Sequence, residues 1–365
     1  MRIGLVIYGS LETVSGGFLY DRQLVDYLRG CGDEVRIFAL PWRSYGRCLL
    51  HNLSPSFTRQ LRQADLDVLL QDELNHPSLF WLNQRLRWQA SYPLVSIVHH
   101  LRSSERWPAW RRPFYRRVER AYLHTLDGCI YNSATTRAAV EALSDRRLPH
   151  VVAYPAGDRF ANRPDAAAVA ARARQPGPLR IVFVGNLIAR KGLGVLLAAL
   201  ARLPLADWRL TVVGNTAVDP VYTRRIHNQV ARAGLAANLT WGGVLLDDAL
   251  AQLLADSHVL VVLSTYEGFG IVYLEGMGFG LPAIASTAGA AHEIITDGQD
   301  GYLVPPNDPE ALAARLRRLH ADRALLAQLG QNALQRYAAH PTWADSMARI
   351  RGFLQTFTPG ATGEK

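Results

Sequence analysis

The sequence predicts an α/β protein of two doubly wound, Rossmann-like domains, each with its own parallel sheet. Three observations carry that expectation. Short continuous apolar runs alternate with helical segments along nearly the whole chain, the pattern of parallel strands covered on both faces. That rhythm breaks once, around Pro155, and then restarts. The chain also has 365 residues, more than the roughly 250–300 at which single cores stop growing.

Taken in order, "RIGLVIYG" reads as a strand, "GGFLYDRQLVDYLRGCG" as a helix closed by glycine, and "EVRIFAL" as a second strand. "DVLLQ", "LVSIVHH" and "GCIYN" are further apolar runs, each leading into a helix, and Ser133 opens "SATTRAAVEAL" as an N-cap. "YPAGDRFANRPDAAAVAARARQPGP" holds four prolines and an Ala/Arg-rich stretch, so it reads as a linker. Alternation resumes with "LRIVFVGN", "WRLTVVGN", "NLTWGG", "HVLVVLS" and "PAIAS". Helical segments near Pro309–His320, Ala321–Ala339 and Thr342–Phe357 close the chain. The expected domains are residues 1–160 and 179–341 with a linker at 161–178, and the helix at 342–357 is expected to pack back on the first domain. No internal repeat or low-complexity tract interrupts them.

With 49% hydrophobic and 19% charged residues, the chain has material for folded cores, and no long segment has the polar bias of disorder. A net charge of +9 points to an anionic partner: nucleic acid, anionic lipid or a phosphorylated substrate. Cys31, Cys48 and Cys129 are too few and too scattered for a disulfide framework or a metal site, which fits a reducing compartment. "MRIGLVIYGS" lacks the apolar core and cleavage site of a signal peptide. No run approaches the roughly 18 apolar residues of a membrane span. A cytoplasmic location is expected, with peripheral contact at the inner face of a membrane.

The chemistry concentrates at glycine-rich strand ends. In "STYEGFGIVYLEGMGFGLPAIAS", Glu267 and Glu275 flank the turn Gly268-Phe269-Gly270 between an apolar run and a helix. Ligands of open parallel sheets bind beyond the strands' carboxyl ends, where helix starts leave N–H groups unpaired. The amides of Phe269, Gly270 and Ile271 thus suit phosphate, and glycine lets the backbone come close. Carboxylates would repel phosphate, so sugar hydroxyls are their natural targets. The competing structural interpretation is a turn capped by Glu267, with Glu275 solvated. "FVGNLIARKGLGVLLAAL" repeats the design, with Arg190 and Lys191 at the loop's mouth, and "SGGF" puts Gly16 and Gly17 after the first strand.

Glu267-Gly-Phe-Gly-Ile-Val-Tyr-Leu-Glu275, followed by Met277, Gly280 and Pro282, resembles the Glu-x7-Glu element of the retaining glycosyltransferases of family 4. "VGNLIARKG", "SATTR", "AHEIITDGQDGYLVPPND" and "TWADS" resemble further family segments in the same order. The likeness spans nearly the whole chain, strongest after Ile181. It implies the GT-B fold, two such domains facing a central cleft, and a nucleoside-diphosphate sugar held mainly by the C-terminal domain. It further implies that Glu267 binds the donor sugar, Glu275 the ribose, and that the backbone of Gly268–Ile271 cradles phosphate with Lys191 and Gly17. His99 matches the family's histidine near the transferred sugar, with His100 competing. Where the family commonly has arginine after the glycine of "VG", this chain has Asn186, and Arg190 stands ready to compensate.

Retention without an obvious nucleophile implies front-face attack, with catalysis resting on positioning and on charge stabilisation at the diphosphate. Lys191 and Arg190 would stand in for a metal, so neither metal nor cofactor is expected beyond the sugar nucleotide as co-substrate. "DLD" at Asp65–Asp67 precedes an apolar run and reads as a turn, and "HEII" lacks a second histidine. On the acceptor side, "HLRSSERWPAWRRPFYRRVERAYLH" interleaves seven arginines with aromatics, and "FWLNQRLRWQ" adds Trp81 and Trp88. Such a surface suits anionic lipid; the alternative is a solvated basic face with its aromatics packed inward. Asp72, Glu73 and His76, with Gly16 and His100, are the candidate acceptor contacts. The expectation is a hexosyltransferase using a UDP- or GDP-sugar and a glycan or lipid-linked acceptor. Its rivals are a non-catalytic nucleotide-sugar-binding protein and a basic nucleic-acid-binding protein.

Overall fold

The structure, a computed structural model, describes residues 1–13, 15–105 and 107–358. The chain divides into two compact units, one formed by Met1–Pro155 with the chain from Pro341, the other by Ala156–His340.

In the first unit, β1 (Arg2–Tyr8), β2 (Glu34–Leu40), β3 (Val68–Asp72), β4 (Leu94–Val98), β5 (Gly128–Tyr131) and β6 (His150–Val152) form one sheet in the order β2-β1-β3-β4-β5-β6. All neighbours run parallel, with Ile3 opposite Val35 on one side and Val68 on the other. Every residue of β3, β4 and β5 is buried, which is why these strands read as unbroken apolar runs rather than alternating ones. Ser15 and Ser133 cap the helices Gly16–Gly30 and Ala134–Ser144 by accepting from Phe18 N and Thr136 N.

The second unit repeats the plan. Its strands β7 (Leu179–Val184), β8 (Trp208–Val213), β9 (Leu239–Gly243), β10 (Val259–Val262), β11 (Ala283–Ser286) and β12 (Gly301–Val304) lie in the order β12-β11-β10-β7-β8-β9, again parallel. Chain direction across the sheet reverses between β1 and β3 in the first unit and between β7 and β10 in the second. Those reversals open a crevice at the strands' carboxyl ends, where such sheets bind ligands. Gly16 opens the helix that follows β1, Asp72 ends β3 and His99 follows β4; the segments after β7 and β10 carry Lys191 and Glu267.

The segment 161–178, expected as a linker, contains the helix Ala166–Arg174, capped by Asp165. Its alanines are small enough to sit close to neighbouring backbone. Val169 is buried against Gly280 and Gly330, where a Cβ would collide with it. The buried Arg172 guanidinium donates to the carbonyls of Ala255, Phe279 and Gly280 at 2.8, 2.8 and 3.1 Å. At the chain's other end, the helix Trp343–Gln355 opens with a Thr342/Asp345 capping box. It belongs to the first unit, where Trp343 packs edge-on against Tyr20, Ser346 Oγ donates to Tyr154 O at 2.6 Å, and Arg351 pairs with Asp33 at 2.7 Å.

Candidate active site

Two glycines bring the loops after β7 and β10 together. Gly192 has φ +75°, and a Cβ there would lie 2.2 Å from Leu263 O, so only glycine admits this approach. Thr265 N donates to Arg190 O at 2.8 Å, stitching loop to loop. Gly270, with φ +102°, precedes the helix Ile271–Met277. Among the described residues, neither Gly270 nor Ile271 donates its N–H to a backbone carbonyl.

Glu267 sits at the centre of this corner. Its Oε2 accepts from Lys191 Nζ at 2.7 Å and Ser264 Oγ at 2.8 Å, with Arg190 Nη1 3.7 Å away. Arg190 also donates to Tyr266 O at 2.9 Å. Burial works against the carboxylate, yet Lys191, Arg190 and the two hydrogen bonds outweigh it and hold its pKa down at about 2. Glu267 is therefore an anion at any working pH. Its other oxygen, Oε1, accepts no hydrogen bond among the described residues. Behind it, Gly289 packs so tightly that a Cβ would stand 2.3 Å from Glu267 O, while Ala290 N donates to that oxygen at 2.9 Å. Nearby, Asn186 Oδ1 accepts weakly from Asn215 N at 3.4 Å.

Glu275, one helical turn beyond Gly270, is buried, with only 5% of its surface exposed. Its Oε1 accepts from Arg159 Nε at 2.5 Å. The solvated alternative for this residue is thereby set aside.

In the first unit, His99 follows β4 and lies against Gly17, where a Cβ would come within 3.2 Å of the imidazole. Its Nε2 is 3.2 Å from Oδ1 of the fully buried Asp21. Desolvation alone would neutralise the ring, but Asp21, with Asp72 and Glu73 behind it, raises its pKa to about 9. His99 is an imidazolium at neutral pH. Asp72 is pushed the other way from an ordinary aspartate, up to about 8, by burial and by Asp21. Asp72, Glu73 and His76, the expected acceptor contacts, are all buried, at 1%, 2% and 2% exposure. Asp72 Oδ1 caps Leu74 N at 2.9 Å, and His76 Nδ1 lies 3.0 Å from the Glu73 carboxylate. Burial raises Glu73 to about 7, as it does Glu119, and lowers His76 to about 4. Asp21, Asp72 and His99 bring ligand-type atoms within 4.8 Å of one another, and so do Glu73, His76 and Glu119. His100 pairs with Glu105 at 3.2 Å, and Gly16 is exposed at the start of its helix.

Asp21, Ser264 and Gly289 were not visible as functional residues in the sequence. Asp21 meets a histidine 78 positions away, and only the approach of His99, just after β4, to the first helix reveals the pair. The Arg/aromatic segment divides. Trp107 and Tyr115 pack inward around the Arg102 guanidinium, 4.6 and 5.1 Å from their ring centres. Trp110 and Phe114 remain 73% and 48% exposed beside Arg111, Arg112, Arg116 and Arg117. Arg106 of this segment lies outside the described residues.

Comparison with known proteins agrees with this geometry. Residues 167–336, most of the second unit, match the family described as glycosyl transferases group 1. The chain is 27% identical over 383 aligned positions to the phosphatidyl-myo-inositol mannosyltransferase of Mycolicibacterium smegmatis, covering 98% of this chain and 94% of that enzyme. A D-inositol 3-phosphate glycosyltransferase of Streptomyces bingchenggensis is 34% identical over 186 positions, 48% of this chain and 40% of that protein. Among solved structures, Anabaena HepE in complex with UDP and glucose superimposes with a TM-score of 0.80 at 20% identity, over 98% of this chain and all of that one. With two doubly wound units, the Glu267/Glu275 turn and these matches in agreement, residues 167–336 match the glycosyl transferases group 1 family and the whole chain is similar to GT-B glycosyltransferases of the family 4 type.

Proposed function

We propose that this protein transfers a hexose from UDP or GDP to an acceptor hydroxyl, with retention at the anomeric carbon and without a metal ion. The observation that carries the reading is the Glu267 carboxylate: anionic, fixed through Oε2 by Lys191 and Ser264, and open at Oε1. A held carboxylate with one unused oxygen is suited to accept from a sugar hydroxyl. Lys191 and Arg190 put two cations beside it, where a leaving diphosphate would gather charge, and the amides of Gly270 and Ile271 add donors. The likeness to retaining glycosyltransferases of family 4 supports a path in which the diphosphate itself takes the acceptor's proton. In the first unit, His99, held as a cation by Asp21, is a positive group suited to an anionic substrate.

The exposed Trp110, Phe114 and Trp88, at 73%, 48% and 89%, stand among arginines and support an acceptor presented at an anionic membrane surface. The M. smegmatis relative is named for a lipid substrate, which fits that reading. A single assay tests it: release of nucleotide from UDP- and GDP-hexoses, with EDTA and with vesicles containing phosphatidylglycerol as separate arms. Turnover of one donor, undiminished by EDTA and raised by vesicles, is the expected result. Binding of a sugar nucleotide with no release in any arm would make the protein a binder rather than an enzyme.

A further inference from the structure

Glu275 does not stand alone. The short segment Gly157–Phe160 is built against it. A Cβ at Gly157 would come within 3.1 Å of Glu275 N, so the two backbones are in direct contact. Two residues on, Arg159 donates from Nε to Glu275 Oε1 at 2.5 Å, and its Nη1 pairs with Asp247. The guanidinium lies 4.3 Å from the ring centre of Phe160, which in turn packs edge-on against Phe279 at 5.5 Å. Burial disfavours the Arg159 charge, but Glu275 and Asp247 more than restore it. Asp247 opens the helix Asp247–Asp256, just past the carboxyl end of β9. One planar fork thus ties the rim beyond β9 to the carboxylate on the helix after β10.

Glu275 keeps one oxygen in reserve. Oε2 accepts no hydrogen bond among the described residues and is not sealed from solvent. We infer that Arg159 is a positioning residue for the nucleotide: it fixes the Glu275 carboxylate through Oε1 and leaves Oε2 aimed at the ribose hydroxyls. This rests on the reading of Glu275 as the ribose-binding group. A guanidinium suits the task because its fixed donors define an orientation, whereas an ammonium supplies only a point charge. Losing it would free the carboxylate to rotate or to draw in water, and the hydroxyl contact would lose its geometry while the phosphate contacts at Lys191 stayed as they are.

The test compares calorimetric affinities of UDP and GDP with those of their 2′,3′-dideoxy counterparts, because general damage to the fold weakens both members of a pair alike. In the intact protein, the nucleotide that binds should prefer its ribose hydroxyls by about tenfold or more, the range of a hydrogen bond to a charged group. In Arg159→Gln that preference should shrink to within about twofold, and Glu275→Gln should do the same. The double variant should lose nothing further, as groups acting through one another are not additive. Arg159→Lys, which keeps the charge, provides a second reading should the glutamine variant fold poorly. Its preference should fall between the two, with melting temperature as the control. Loss of the preference in Glu275→Gln but full retention in both Arg159 variants overturns the inference and leaves Glu275 in place. An intact protein that binds ribo and dideoxy nucleotides equally removes the ribose role of Glu275, and the inference with it.

Discussion

The two units bury charge in opposite ways. In the second, Glu267 is met by Lys191, Arg190 and Ser264, and its pKa sinks to about 2. In the first, Asp21, Asp72, Glu73 and Glu119 share a small interior with His99 and His76, and three of those acids are raised to about 7 or 8. Burial is the leading influence in both places. What differs is whether cations arrive in the same number as the anions. A carboxylate with its own lysine keeps one protonation state throughout the useful pH range. Asp72, Glu73 and Glu119, raised mainly by burial to about 7 or 8, lose their protons near neutral pH, so their charge follows pH. The Lys191–Glu267 corner is therefore a fixed electrostatic template, and the surroundings of His99 are an adjustable one.

The strongest way to break this contrast is Glu267→Ala. It removes the carboxylate proposed to hold the sugar and takes the Glu267 partner from Lys191, so kcat/KM should fall by roughly 10²–10³ or more. Stability should drop by only about 1–3 kcal/mol, the cost of stranding a partly buried charge. Steady-state kinetics and a thermal melt read both; retention of full activity would remove Glu267 from the site. Next in size is Asp21→Asn. The folded pKa of His99 is raised, so the stability it contributes is fully present below its unfolded value of about 6.5 and is lost as pH rises through about 9. The substitution should bring the imidazole down by roughly 2 units, seen by NMR titration, and shift the alkaline fall of activity by a similar amount. An unmoved titration would mean that Asp21 does not set the charge. The smallest effect belongs to Glu73→Gln. With its folded pKa raised to about 7, Glu73 stabilises fully only below about pH 4.3, and that contribution fades as pH climbs through 7. The glutamine variant should flatten this decline and match or exceed the parent by about 1 kcal/mol in urea unfolding at pH 8; a variant whose stability falls from pH 6 to pH 8 as steeply as the parent's would contradict it.

Much of this was legible in the residues. Parallel strands buried on both faces announce themselves as "LVSIV" or "VLVVL", and glycines at strand ends mark where loops approach one another closely. Lys191 and Glu267 could be found because each stands beside such a turn. The helix at Ala166–Arg174 was hidden by four flanking prolines and by an arginine that turns out to serve buried carbonyls. Asp21 and Arg159 were illegible for a different reason. Each is an ordinary charged residue in its own segment, and each acquires meaning from a partner 78 or 116 positions away. Asp72, Glu73 and His76 were readable as a strand-end cluster, but not their depth, because the helix Arg112–Leu123 that brings Glu119 to them comes later in the chain.

The helix Trp343–Gln355 has a consequence for how the protein is made. The second unit is one uninterrupted stretch and can mature as soon as its last residues leave the ribosome. The first unit, although translated before the second, waits for a piece encoded after it. Until Trp343 arrives, Tyr20 lacks the ring that flanks it, and Tyr20 in turn touches His99 at 5.2 Å between ring centres. A ribosome that stops short of that helix releases a chain whose later-born half is sound and whose earlier-born half is unfinished beside His99.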